Sequence, residues 1–243
     1  MSKDTLTERE TWATYWTAYK PEIVQRKNQF QQLFERIPDG NGTKTFLELG
    51  GFPGTFAVYF KKFKNYRVSL LDYFVSRPIV DSLLQMNQIQ TDELQVIEAD
   101  LFAYDSDQQY DLVFSSGLIE HFEDTGNIIK KHVDLIKDGG TLLITLPNLR
   151  GLNGWLQKTF HQENFEIHNL KCMDIDHLRQ ICESLGLHNL EVNFTGKPMV
   201  WLEAEAPVKS WFRKLVKLKS LALKAFPIKG YFLSPFIYIL ARK

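Results

Sequence analysis

The sequence predicts an α/β protein with a doubly wound, mostly parallel sheet and helices on both faces. Three observations point there. Short β-type apolar runs alternate with helical patterns from residue 44 onward, the rhythm of βαβ units. The first run leads straight into a glycine-rich turn, Gly50-Gly51-Phe52-Pro53-Gly54. An acidic residue, Asp72, ends the second run 22 residues beyond Gly50.

Taken in chain order, residues 1–43 read as a polar helical cap. Trp12, Tyr15, Trp16 and Tyr19 stand at near-helical spacing, and a second helical stretch follows Pro21 up to Ile37. The five central strands fall at 45–49, 68–71, 94–99, 112–115 and 141–146, within a core spanning 44–148. Helices are predicted at about 54–63, 76–88 and 124–136, with Asp138-Gly139-Gly140 closing the third. Residues 149–173 break the rhythm and read as a long loop that serves as a lid or binding segment. A helix over 174–185 follows, ended by Gly186, and two more strands are expected at 188–203 and 236–242. Between them, 204–232 is a second insertion. The whole of 1–243 is read as a single domain.

Composition excludes several classes. An apolar share of 44% with 24% charged residues rules out a disordered or collagen-like chain. The two cysteines, Cys172 and Cys182, make no disulfide framework, which suits a reducing compartment, and the N-terminal stretch lacks the apolar core of a signal peptide. A cytoplasmic protein is expected. The 29 basic and 29 acidic side chains balance, which argues against nucleic acid as a partner.

The turn after the first strand is the usual wall of a ligand site in an open α/β sheet. A dinucleotide fingerprint aligned on Gly50 needs glycine at 52 and 55, where the chain has Phe52 and Thr55, and Pro53 removes an N–H that a pyrophosphate would use. A nucleoside without phosphates has no such need. Glu48-Leu-Gly-Gly-Phe-Pro-Gly54 resembles the first motif of the class I S-adenosylmethionine-dependent methyltransferases, with Phe52 in place of the middle glycine. Asp72, Glu98-Ala-Asp100-Leu101, Tyr110–Phe122 and Leu135–Asn148 resemble the family's later motifs, in order and at proper spacing. The resemblance covers 44–203 and extends to 236–242. It implies a seven-stranded sheet with an antiparallel last strand and helical lid insertions.

The same resemblance implies the cofactor S-adenosyl-L-methionine, held by Glu48, Gly50, Gly51, Gly54, Asp72, Tyr73, Asp100, Leu101 and Ser115. Asp72 would bind the ribose, Asp100 the adenine amine, Leu101 the ring, and the backbone near Gly50 and Ser115 the methionine part. The competing reading is that Asp72 and Asp100 only close turns. His121, at the mouth of the expected site, is the candidate catalytic base, against a packing role for a Glu-His pair. Asn153, His161 and His168 are candidates for the acceptor pocket, against a solvated loop. No metal site is expected, since the histidines and cysteines show no tight ligand spacing. The activity implied is methyl transfer to a small-molecule, glycan or lipid-linked acceptor; the alternative is a non-catalytic scaffold that keeps the fold.

Residues 207–229 hold seven basic and no acidic side chains, so the rest of the chain carries 22 basic against 29 acidic. On a helix over 208–226 most apolar residues share one face, including Trp211, Phe212, Leu215 and Leu218. Such a face suits an anionic membrane, placing the protein at the inner surface, or else it packs as a lid or a homodimer contact.

Overall fold

The computed structural model describes residues 9–202, 206–225 and 229–243. Its seven strands are β1 (Thr45–Leu49), β2 (Arg67–Asp72), β3 (Leu94–Glu98), β4 (Tyr110–Ser116), β5 (Ile136–Pro147), β6 (His188–Thr195) and β7 (Phe236–Arg242). They form one sheet in the order β3-β2-β1-β4-β5-β7-β6. All neighbouring pairs are parallel except those made by β7, which runs antiparallel to both β5 and β6. The strand order reverses between β1 and β4, and ligands of open sheets sit at that switch point, beyond the carboxyl ends.

Alternate side chains of each strand enter two separate cores. Leu47, Leu49, Val113 and Ile144 meet α5 (Thr125–Asp134) and α8 (Ile175–Ser184) on one face. Phe46, Leu70, Phe114 and Leu143 meet α3 (Thr55–Lys64) and α4 (Arg77–Met86) on the other. Burial on both faces is why these strands read as continuous apolar runs. The second core also takes in the N-terminal segment: Phe34 is fully buried, with its ring 5.0 Å from Phe60 and 5.6 Å from Phe114.

Several elements depart from the sequence expectation. In the N-terminal segment, α1 (Arg9–Tyr15) is followed by a 3-10 turn at Trp16–Ala18, and α2 is only Gln31–Phe34. The chain after Pro21 is not helical because its backbone bonds elsewhere: Val24 N–H donates to Asn87 Oδ1 at 2.8 Å, and Asn87 Nδ2 donates to the Glu22 carbonyl at 3.0 Å. Asp138-Gly139-Gly140 does not close α5, which ends at Asp134; it forms a bulge within β5, where the pairing with β4 jumps from Tyr110↔Ile136 to Leu112↔Thr141. Gly139 adopts φ +73°, and a Cβ on Gly140 would lie 2.6 Å from Ile136 Cγ2. Residues 149–173 are folded rather than a loop, into α6 (Leu152–Phe160), α7 (Gln162–Glu166) and a 3-10 turn at Leu170–Met173.

Strand β6 stops at Thr195, short of the expected 203, because Gly196 turns the chain with φ +88°. The strap that follows is tied to α6: Asn153 Nδ2 donates to the Met199 carbonyl at 3.0 Å, and Trp201 N–H donates to Asn153 Oδ1 at 3.2 Å. In the second insertion α9 spans Ser210–Leu223. Only part of its apolar surface is covered. Phe212, Val216 and Leu223 pack on Leu156, Phe160 and Val200.

Phe34→Ala removes a side chain that joins the N-terminal segment to the sheet. It is expected to lower unfolding free energy by about 3–5 kcal/mol, read from urea denaturation. A loss below about 1 kcal/mol would show the segment to be loosely attached.

Candidate active site

The turn between β1 and α3 is shaped by two carboxylates, Glu48 buried and Asp72 half-buried. Gly54 is the N-cap of α3 and has no side chain to bond the first helical N–H groups. Glu48 does this from β1: its Oε2 accepts from Ala57 N–H at 2.6 Å, and Phe56 N–H also points to the carboxylate. The carboxylate lies flat against Gly51, where an added Cβ would sit 2.2 Å from Oε1. Gly50 is left-handed at φ +58°, and its Cβ would strike Leu118 at 2.4 Å. Burial pushes the Glu48 carboxyl up to about 8. Glu48 and Gly51 thus fix the shape of the loop rather than offering side chains to a ligand.

Asp72 holds the other side of the turn. Its Oδ2 accepts from Phe52 N–H at 2.8 Å and its Oδ1 from Phe74 N–H at 3.0 Å. A carboxylate has about four acceptor positions, so these bonds leave room for a hydroxyl donor. Burial raises it to about 6. The Phe52 side chain, which replaces the family's middle glycine, is buried and packs edge-on against Trp16 and Phe74. Asp100 closes its own turn, accepting from Phe102 N–H at 2.9 Å, and Leu101 packs into the core beside it. Asp72 and Asp100 both close turns, as the plainer reading held, and both stand at strand ends where a nucleoside would be met.

The expectation for Ser115 concerns its backbone; its side chain serves the fold. It is fully buried, and its hydroxyl pairs with His132 Nε2 at 2.9 Å. His132 Nδ1 lies 2.8 Å from the Ile128 carbonyl and must donate to it, so Nε2 accepts from Ser115. The Ser115 side chain is thus committed to α5 rather than to a ligand.

Beyond β4, Glu120, His121 and His168 come together. Their oxygen and nitrogen atoms lie within 4.8 Å of one another, the one such group among the described residues close enough to share a cation. Sequence spacing missed it because 47 residues separate the two histidines. The 149–173 insertion closes that gap: Asn169 N–H donates to the Glu120 carbonyl at 2.7 Å, and its side-chain amide donates to the carbonyls of Phe122 and Glu123 at 2.9 and 3.0 Å. The His121 and His168 rings are 5.0 Å apart. His168 Nδ1 donates to the Asn164 carbonyl at 2.6 Å, which leaves Nε2 as the acceptor. Glu120 Oε2 is buried with no hydrogen-bond partner. Burial raises Glu120 to about 8 and, with His168 nearby, lowers His121 to about 3.

The remaining acceptor candidates are dispersed. Asn153 is a buried clamp between α6 and the strap, so it is structural. His161, at the break between α6 and α7, has a buried Nδ1 without a partner and is not drawn into the Glu120 cluster.

A roof completes the arrangement. Arg9 pairs with Glu98, its Nε donates to the Tyr73 carbonyl at 3.3 Å, and its guanidinium lies over Phe74. Trp12 meets His121 edge-on at 5.1 Å, Trp16 meets Phe52, and Tyr19 bonds Thr55. Trp12, Trp16 and Tyr19 therefore lie near the carboxyl ends of β1 to β4, with Trp16 also packed against the second core.

The sheet order, with its antiparallel β7, and the glycine turn after β1 are those of the class I methyltransferase fold. Residues 23–192 match the family model described as a methyltransferase domain, and the chain belongs to that family. It is an S-adenosylmethionine-dependent methyltransferase. No curated protein matches it. Among solved structures it resembles a SAM-dependent methyltransferase from Archaeoglobus fulgidus, at 17% identity and TM-score 0.56, covering 87% of this chain and 91% of that one. It also resembles a Haloferax volcanii chain in complex with the Trm112 methyltransferase activator, at 18% identity and TM-score 0.62, covering 88% of each. A third is phosphoethanolamine N-methyltransferase 2 of Haemonchus contortus, at 16% identity and TM-score 0.57, covering 87% of this chain and 51% of that one.

With Glu48 held up to about 8, the folded, cofactor-free protein binds a proton that the unfolded chain releases near pH 4.5. The Glu48 contribution to stability is therefore lost as pH rises from about 5 to about 8. Glu48→Gln keeps an acceptor for Ala57 and is expected to flatten that decline in thermal melts. An unchanged slope would show that Glu48 is ionised in the fold.

Proposed function

We propose that this protein moves the methyl group of S-adenosylmethionine onto an oxygen or nitrogen of a small-molecule, glycan or lipid-linked acceptor. The cofactor, when bound, supplies a sulfonium carbon open to in-line displacement. Asp72 would hold the ribose, Tyr73 would lie beside it, Asp100 and Leu101 would meet the adenine, and the backbone of Gly50 and Gly51 the methionine part. The α1 roof excludes water, and positioning supplies much of the rate.

The observation that carries this reading is the buried Glu120–His121–His168 cluster beside the switch point. A heteroatom acceptor gains a bond to carbon as the carbon–sulfur bond breaks, and it must then lose a proton. A histidine lowered to about 3 takes that proton weakly, whereas the Glu120 carboxylate, at about 8, is matched to neutral pH. The role of base first given to His121 thus moves one residue back, and His121 and His168 serve as polar contacts to the acceptor. The scaffold alternative rested on Phe52, whose side chain is packed into the protein.

The base must be ionised to act, so kcat is expected to rise with pH through about 8. Glu120→Gln should remove that limb and slow turnover by roughly 10²–10⁴-fold, while cofactor binding measured by calorimetry stays unchanged. A persisting limb would return the base to another group. Chelators are expected to leave the rate unaltered. Loss on chelation, restored by a divalent cation, would make the cluster a metal site instead.

A further inference from the structure

α9 has two apolar faces, and only one is used. Its inner face packs on α6 and the strap: Phe212 lies 4.6 Å from Phe160, and Val200 N–H donates to Ser220 Oγ at 3.3 Å. At 100° per residue, Trp211, Leu215, Leu218 and Leu221 form a second arc about 120° wide on the far side. These side chains face solvent, with Trp211 61%, Leu218 64% and Leu221 66% exposed. Scattered exposed leucines are ordinary, but an ordered stripe of them headed by a tryptophan is not.

Charge identifies the occupant. Lys214 lies within the arc and Lys217 and Lys219 border it on either side, while no acidic residue occurs anywhere from 206 to 243. An apolar arc edged by lysines is poorly matched to a second copy of itself, since the same cations would meet across a twofold contact. It matches a surface that is apolar below and negative above. Beside the arc, a cavity of about 380 Å³ between α9 and the strap has Val200, Trp201 and Leu221 in its walls and Arg213, Lys217 and Lys224 among its lining residues. Arg213 Nε is buried there without an acceptor. Among the described residues no helix is long and apolar enough to cross a membrane, and the 14 residues of α9 suit a helix lying in the interface plane.

We propose that the outer stripe of α9 docks the protein on the surface of an anionic phospholipid bilayer, with Trp211, Leu218 and Leu221 inserted and the flanking lysines on the lipid phosphates. This holds whatever the acceptor and does not depend on the site chemistry above.

The test is flotation of the full chain with phosphatidylglycerol-containing vesicles and with phosphatidylcholine vesicles. Wild type is expected to float with the anionic vesicles and much less with the neutral ones, and to be released by high salt. Each of Lys214→Ala and Lys217→Ala should lower partitioning about fivefold. The double variant Leu218→Gln/Leu221→Gln should abolish flotation while binding S-adenosylmethionine as wild type does, which shows that it is folded. Equal flotation of wild type and that variant, or none by wild type, would overturn the proposal. So would a wild-type dimer in sedimentation that the same two substitutions dissolve, since the stripe would then belong to a second copy.

Discussion

The site depends on one constraint: the turn after β1 must keep a bare backbone facing the sheet's switch point. Within Gly50–Gly54 one backbone bond closes the turn, from Gly54 N–H to the Gly51 carbonyl at 2.7 Å, and Pro53 offers no N–H. The rest of the hold comes from outside. Glu48 takes the first N–H groups of α3, and Asp72 takes Phe52 N–H across the gap between β1 and β2. Glu48 is buried and Asp72 half-buried, neither with a basic partner, a costly arrangement. Their raised proton affinity is the physical mark of that cost. Glu48 spends its acceptors inside the protein, whereas Asp72 keeps capacity toward a ligand, so two acids of one turn serve different ends.

The rest of the site is assembled by segments that the sheet does not specify. The 149–173 insertion brings His168 to the β4 end through the hydrogen bonds of Asn169. The N-terminal helix closes from the opposite side through Arg9, Trp12 and Trp16. These additions, rather than the sheet, place His168 and the α1 side chains around the β4 end. The second insertion follows the same logic on a larger scale: one face of α9 completes the strap, and its other face is left for something outside the chain.

Much of this was legible in the sequence where a local rule governs. Thr45–Leu49 and Phe236–Arg242 have the strand bounds their apolar runs imply, and the acidic residues at 48, 72 and 100 mark strand ends. Local rules failed where tertiary bonds decided. The segment after Pro21 has helical periodicity, yet Asn87 claims its backbone. The glycines of 139–140 look like a helix stop and are a bulge. The Glu120 cluster was half visible, as Glu-His after the fourth strand, but His168 joins it only through folding. The helical face of 208–226 was read as single because a projection cannot say which part of an apolar arc the protein covers.

The central claim is that the turn held by Glu48 and Asp72 is an S-adenosylmethionine site in which Asp72 bonds the ligand. Calorimetric titration of the cofactor into wild type and Asp72→Asn tests it most directly. The account predicts one site per chain in wild type and an affinity about tenfold or more weaker in the variant, as expected for a lost charge-assisted bond. Equal affinity in both proteins, or no binding by wild type, would contradict it.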